Sequence, residues 1–187
     1  MRTSMRLYNG CTGLSTVSTM DTIEDVAEFM KQNELLLVTA ESCTAGLIAA
    51  HLADIPGAGA LLDCAFVVYS PEAKQHCLDV SPETIERFNL TSEEVAREMA
   101  LGAIVRSRAN MAIANTGVAD STDDEIPPGT QCFAWAFQQE GTSGNPAGPI
   151  VFTETRRFPG DRNEVREASA EYALQRIPFH FARIARS

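Results

Sequence analysis

The chain has 187 residues, is 44% hydrophobic and 21% charged, and carries a formal net charge of −10, which fits one globular domain rather than a disordered tract. That acidity excludes the broad basic surfaces that bind nucleic acid or anionic membranes, while leaving room for a local basic pocket that holds one small anion. The five cysteines, Cys11, Cys43, Cys64, Cys77 and Cys132, are odd in number and form no C-x-x-C pair, so neither a disulfide framework nor a zinc knuckle is expected. With no secretory signal pattern and no apolar run of membrane-spanning length, the expectation is a soluble, cytoplasmic protein with reduced thiols.

Residues 1–20 are polar and aperiodic and read as an N-terminal extension; residues 21–187 read as one domain. Asp21 and Glu24 are spaced as a capping box ahead of helical apolar spacing at Ile23, Val26, Ala27 and Met30. Leu35 to Val38 is a short apolar run typical of a strand buried on both faces, and a small-residue helix is expected from Cys43 to Ala53. A second strand is expected over residues 61–69. Ser70-Pro71 and Ser81-Pro82 each place an N-cap serine before a first-turn proline, opening helices through Cys77 and over 82–88.

Thr91 and Glu94 suggest another capping box, for a helix reaching Arg108, and Met111 to Asn115 is a third apolar strand. Strands over 131–138 and 150–158 form an expected hairpin, and Asp161 with Glu164 caps a last helix that Pro178 should end or kink. Alternating strands and helices followed by a hairpin predict a three-layer α/β/α sandwich on a mixed sheet, mostly parallel with one antiparallel strand from the hairpin.

In such a sheet, ligands collect at the carboxyl ends of the parallel strands. Three strand ends carry polar clusters: Thr39 to Gly46, Tyr69 to Lys74, and Thr116 to Asp120. Two readings of Ser42 stand at this point. It is either an N-cap serine or a nucleophile beside helix N–H groups that would stabilise an oxyanion. None of His51, His76 and His180 is well placed to serve as its base.

Lys74 is a candidate base, because it and Lys31 are the only lysines in a chain that otherwise uses arginine. Arginine does not give up its proton, whereas a desolvated lysine does so towards neutral pH. A solvated helix lysine is the competing reading. Cys43, also beside a helix start, ranks behind Ser42 as a nucleophile. The pattern is hydrolase-like, with no metal motif and no nucleotide fingerprint.

Several blocks in order resemble the CinA C-terminal domain family, which includes nicotinamide-nucleotide amidases: TAESCTAGLIAAHLADIPGAG (39–59), FVVYSPEAKQHCLDV (66–80), TSEEVAREMALGA (91–103), ANTGVA (114–119) and FPGDRNEVREASAEYAL (158–174). The resemblance implies an α/β/α fold with a five-stranded mixed sheet. It implies cofactor-free and metal-free hydrolysis of the carboxamide of nicotinamide mononucleotide, or a related pyridine amide, to the acid and ammonia. A homodimer or higher homo-oligomer is implied as well, with no nucleic-acid or membrane partner.

By the same resemblance Ser42 is the nucleophile, Lys74 the base and proton donor, and Tyr69 a neighbour of both. Thr116 and Gly117 line the substrate pocket, Glu41 orients the nucleophile loop or bonds the carboxamide, and Cys43, Thr44 and Arg162 are further substrate-side residues. The chain departs from the family after Thr116. It reads GVADSTDDEIPPGTQ (117–131), with Asp120-Ser121 where Gly-Pro is usual and with Asp123, Asp124 and Glu125 added. Carboxylates repel a phosphate where a glycine-rich turn would offer it N–H groups. The alternative expectation is therefore a catalytically weak family member that binds a small ligand or a partner.

Overall fold

The computed structural model describes residues 22–120, 125–139 and 148–184. Asp21, Cys11, Asp123, Asp124 and residues 1–20 lie outside them. In chain order the elements are α1 (Ile23–Gln32), β1 (Leu37–Glu41), α2 (Leu47–Ala53), β2 (Leu62–Val67), α3 (Pro71–Leu78), α4 (Pro82–Phe88), α5 (Glu93–Ile104), β3 (Met111–Gly117), β4 (Thr130–Phe137), β5 (Ile150–Arg157), α6 (Arg162–Gln175) and α7 (Ile177–Ile184). The five strands form one sheet in the order β2-β1-β3-β4-β5. β1 pairs in parallel with both β2 and β3, while β4 runs antiparallel to β3 and β5. This is the expected mixed sheet.

Strand alternation divides the core in two. Leu37, Met111, Ile113, Phe133 and Trp135 face a layer contributed by α1, α2, α6 and α7. Val38, Ala40 and the alanines 112, 114, 134 and 136 face the other way, against Val95, Ala96, Met99, Ala100 and Ala103 of α5. Alanine on both sides of that interface lets α5 lie close to the sheet. α5 also meets α3 at backbone distance: a Cβ on Gly102 would stand 2.0 Å from the Leu78 carbonyl oxygen.

Caps explain most helix starts. Ser70 accepts from Ala73 N–H at 3.1 Å ahead of Pro71, and Asp161 with Glu164 completes the expected capping box. Pro178 sits in the first turn of α7, and the helical run breaks just before it, between Gln175 and Ile177. Four expectations need correction. α1 is capped by Thr22, which accepts from Asp25 N–H at 3.1 Å. α5 is capped by Ser92 rather than Thr91 and ends at Ile104, because Ser92 is the extended residue (φ −147°, ψ 156°) whose hydroxyl meets Val95 N–H.

β1 continues past Val38 to Glu41, since pairing on both edges carries the buried Thr39 and Glu41 within the ladder. The α2 helix starts at Leu47 rather than at Cys43. Ala45 (φ 50°) and Gly46 (φ 98°) are both left-handed, which breaks helical geometry between Ser42 and the helix.

β1 lies between its two parallel partners, with β2 on one side and β3 on the other. The crevice beyond its carboxyl end is therefore the topological switch point of the sheet, where this architecture holds ligands. Ser42 is the first residue past that end.

Candidate active site

The turn from Ser42 to Gly46 is held from three directions. Ser42 N–H donates to the Asn115 backbone carbonyl at 3.0 Å, and Thr44 N–H donates to Asn115 Oδ1 at 3.1 Å, tying the turn to β3. Arg166 of α6 donates to the Cys43 and Thr44 carbonyls at 3.0 and 3.2 Å. The Glu41 carboxylate accepts from Gly46 N–H (2.8 Å), Ile48 N–H (3.1 Å) and Ala49 N–H (3.0 Å), so it caps α2 from inside. Ala45 N–H closes the turn on the Ser42 carbonyl. Among the described residues, the Cys43 N–H is the one amide of this turn that meets no acceptor.

Held in this way, Ser42 is not an N-cap. Its Oγ lies 2.9 Å from Lys74 Nζ, which also donates to the backbone carbonyls of Val68 (2.8 Å) and Tyr69 (3.2 Å). Lys74 projects from α3 and is 1% exposed, which settles the solvated-lysine reading against itself. Its three polar neighbours are neutral, so nothing there compensates the charge, and desolvation brings its pKa down from 10.5 to about 8. In the neutral amine two N–H groups satisfy the two carbonyls and the lone pair faces the serine hydroxyl.

Ser42, Lys74, Tyr69, Thr116 and Gly117 line one cleft of about 210 Å3, together with Cys43 and Arg162. Thr116 Oγ1 donates to the Leu90 carbonyl at 2.7 Å and fixes one wall. Burial pushes the Cys43 thiol above its ordinary pKa, so it is not the thiolate a cysteine nucleophile needs. Arg162 opens α6 at the rim, donating to Asp120 Oδ2 at 2.8 Å and to the Tyr69 hydroxyl at 2.9 Å. Glu41 and Thr44 are fully buried behind the turn and line no part of the cleft.

Three residues outside the sequence-level set support this arrangement: Asn115, Arg166 and Gln131. Gln131 of β4 accepts from Asn115 Nδ2 at 3.0 Å and donates to the Val118 carbonyl at 3.1 Å. The histidines are elsewhere. His51 meets Glu167 at 2.8 Å, and His76 meets the Glu72 carbonyl. His180 is buried beside Trp135 and Phe152, with its pKa lowered by desolvation to about 4. Among the described residues no three His, Cys, Asp or Glu side chains converge as a metal-binding group, and no helix is long and apolar enough to cross a membrane.

Comparison with known proteins agrees with this picture. Residues 20–179 match the model of the CinA C-terminal domain. The chain is 37% identical over 161 residues to the nicotinamide-nucleotide amidohydrolase PncC of Escherichia coli, covering 84% of this chain and 92% of that one. It is 40% identical over 161 residues to a CinA-like protein of Chlorobium luteolum, covering 85% of this chain but 36% of that protein. It thus spans about a third of the longer CinA-like relatives it matches. The crystal structure of the competence/damage inducible protein CihA from Agrobacterium tumefaciens superposes with a TM-score of 0.74 at 33% identity, over 94% of this chain and 98% of that one. A five-stranded mixed sheet with these helices, a family match over most of the chain and full-length similarity to solved relatives lead to one conclusion: the chain belongs to the CinA C-terminal domain family.

Proposed function

We propose that this chain is a Ser–Lys amidohydrolase that cleaves the carboxamide of nicotinamide mononucleotide or a related pyridine amide, releasing ammonia. The observation that carries the reading is the 2.9 Å contact between Ser42 Oγ and a buried Lys74 Nζ that has no charged partner among the described residues. Similarity to PncC, named a nicotinamide-nucleotide amidohydrolase, supports the substrate class.

In the proposed reaction neutral Lys74 takes the Ser42 proton as Oγ attacks the carboxamide carbon. The C–O bond forms and the carbonyl electrons move to an oxyanion, for which the Cys43 N–H is the available donor. The Lys74 ammonium then protonates the departing nitrogen, the C–N bond breaks, and ammonia leaves an acyl-serine ester. Water attacks that ester while Lys74 takes its proton. Collapse expels Ser42 Oγ, which recovers a proton from Lys74 and frees the acid. The backbone carbonyls of Val68 and Tyr69 hold the amine in place throughout.

The test is ammonia release from nicotinamide mononucleotide and from nicotinamide riboside, by the native chain and by Ser42→Ala. Release by the native chain should fall at least about 10^3-fold in the variant. A second reading, a ligand-binding family member with weak activity, draws on the Asp120–Arg162 pair at the rim. Its mark is a ligand-induced thermal shift without ammonia.

A further inference from the structure

A second lobe of about 340 Å3 adjoins the cleft, and the two lobes share Leu90, Thr91 and Val118. The second lobe is walled by Ile85, Leu90, Val118 and Ile126, with Asn89, Thr91 and Glu125 as its polar side chains. Among the described residues lining both lobes, the cations are Lys74 and Arg162. Lys74 sits at the inner end and is committed to Ser42. Capture of an anionic group on the substrate's far end therefore falls to Arg162.

That arginine is already engaged. Its guanidinium reaches from the start of α6 to the Asp120 carboxylate beyond β3 and to the Tyr69 hydroxyl beyond β2, across the mouth of the cleft. Asp120 supplies the acceptor that a phosphate oxygen would otherwise supply, and a phosphate reaching Arg162 would meet its negative charge. Because both side chains of the pair are about half exposed, the pair itself is weak and displaceable. The larger effect is repulsion of an incoming dianion by Asp120, with Glu125 lining the adjoining second lobe.

We propose that Asp120 is a specificity-determining residue that makes this pocket select pyridine carboxamides lacking a phosphate, the nucleoside over the nucleotide. The proposal rests on the amidohydrolase reading for its choice of ligands. A nucleoside carries no phosphate to meet Asp120 or Glu125, and asks nothing of Arg162.

The test measures binding by calorimetry in 0.15 M salt, using Ser42→Ala to prevent turnover, with and without Asp120→Asn. The ligands are nicotinamide riboside and nicotinamide mononucleotide. Ser42→Ala should bind the riboside at least fivefold more tightly than the mononucleotide, and adding Asp120→Asn should move that ratio at least fivefold towards the mononucleotide. General loss of structure would weaken both ligands alike and leave the ratio in place. A preference for the mononucleotide, a ratio that moves less than fivefold, or no binding of either ligand overturns the proposal. The two readings fail separately. Ammonia release with an unmoved ratio removes the role of Asp120 alone, while the selectivity without ammonia release removes the amidohydrolase.

Discussion

At the scale of single residues, Lys74 is a group whose chemistry the fold has changed strongly. Fully protonated, it would use all three N–H groups on Ser42, Val68 and Tyr69, with no lone pair left to accept a proton. Neutral, it has the lone pair that the proposed role as base requires. Its pKa of about 8, set by desolvation, fixes the sign of the pH dependence. Below pH 8 the competent neutral fraction falls about tenfold per pH unit, so kcat/KM should rise with pH through about 8 and then level. A pH–rate profile checks this, and a flat profile from pH 6 to 9 would remove Lys74 as the base.

The scarcity of lysine made Lys74 visible in the chain itself, since an arginine at that position could not perform this step. Asn115, Gln131 and Arg166 gave no such signal. They are common polar residues on β3, β4 and α6, and only the folded arrangement brings them to one turn.

At the scale of elements, the site depends on how β1 passes into α2. Local capping rules pointed to Ser42 as the start of the helix, but the left-handed pair Ala45-Gly46 delays α2 by four residues. Glu41, from the strand behind, then does the capping, and Ser42 is left free to face Lys74. A local rule fails at this junction because the capping group comes from a strand rather than from the position before the helix.

Glu41→Ala would leave three amide donors without their acceptor, two of them buried. The expected cost is on the order of 3 kcal/mol, or a Tm lower by about 6–12 °C. Glu41→Gln keeps one acceptor oxygen and should recover part of that loss. Thermal unfolding of the two variants checks both, and an unchanged Tm in Glu41→Ala would contradict the capping role. The α3–α5 contact offers a second check. Alanine favours helices over glycine by about 1 kcal/mol, yet Gly102→Ala must push its Cβ into the Leu78 backbone. Overpacking should win, for a net loss of about 1–3 kcal/mol in denaturant unfolding.

At the scale of the whole molecule, one topological fact assembles the site. The polar clusters at residues 39–46, 69–74 and 116–120 are far apart in the chain, but they follow three adjacent parallel strands and so share one rim. That much was legible beforehand, because apolar runs mark strands, alternation with helices marks a largely parallel sheet, and ligands gather at its carboxyl edge. The depth of the cleft and its second lobe were not legible, since both depend on how the segment after α4 and the residues after β3 pack around Leu90 and Val118. Nor was the rim pair foreseeable, because Asp120 and Arg162 are separated by 42 positions.

The net charge of −10 acquires a local meaning in this setting. Part of it stands at the mouth of the cleft, as Asp120 on Arg162, and part in the second lobe, as Glu125; under the proposed function it would bear on which amide enters. The proposed role of Ser42 and Lys74 is joint hydrolysis of a carboxamide. The most direct measurement is ammonia released from nicotinamide riboside and nicotinamide mononucleotide by the native chain and by Ser42→Ala. Release is expected from at least one of the two amides and should be abolished by the substitution; release that persists undiminished in Ser42→Ala, or none from either amide with the native chain, would contradict that role.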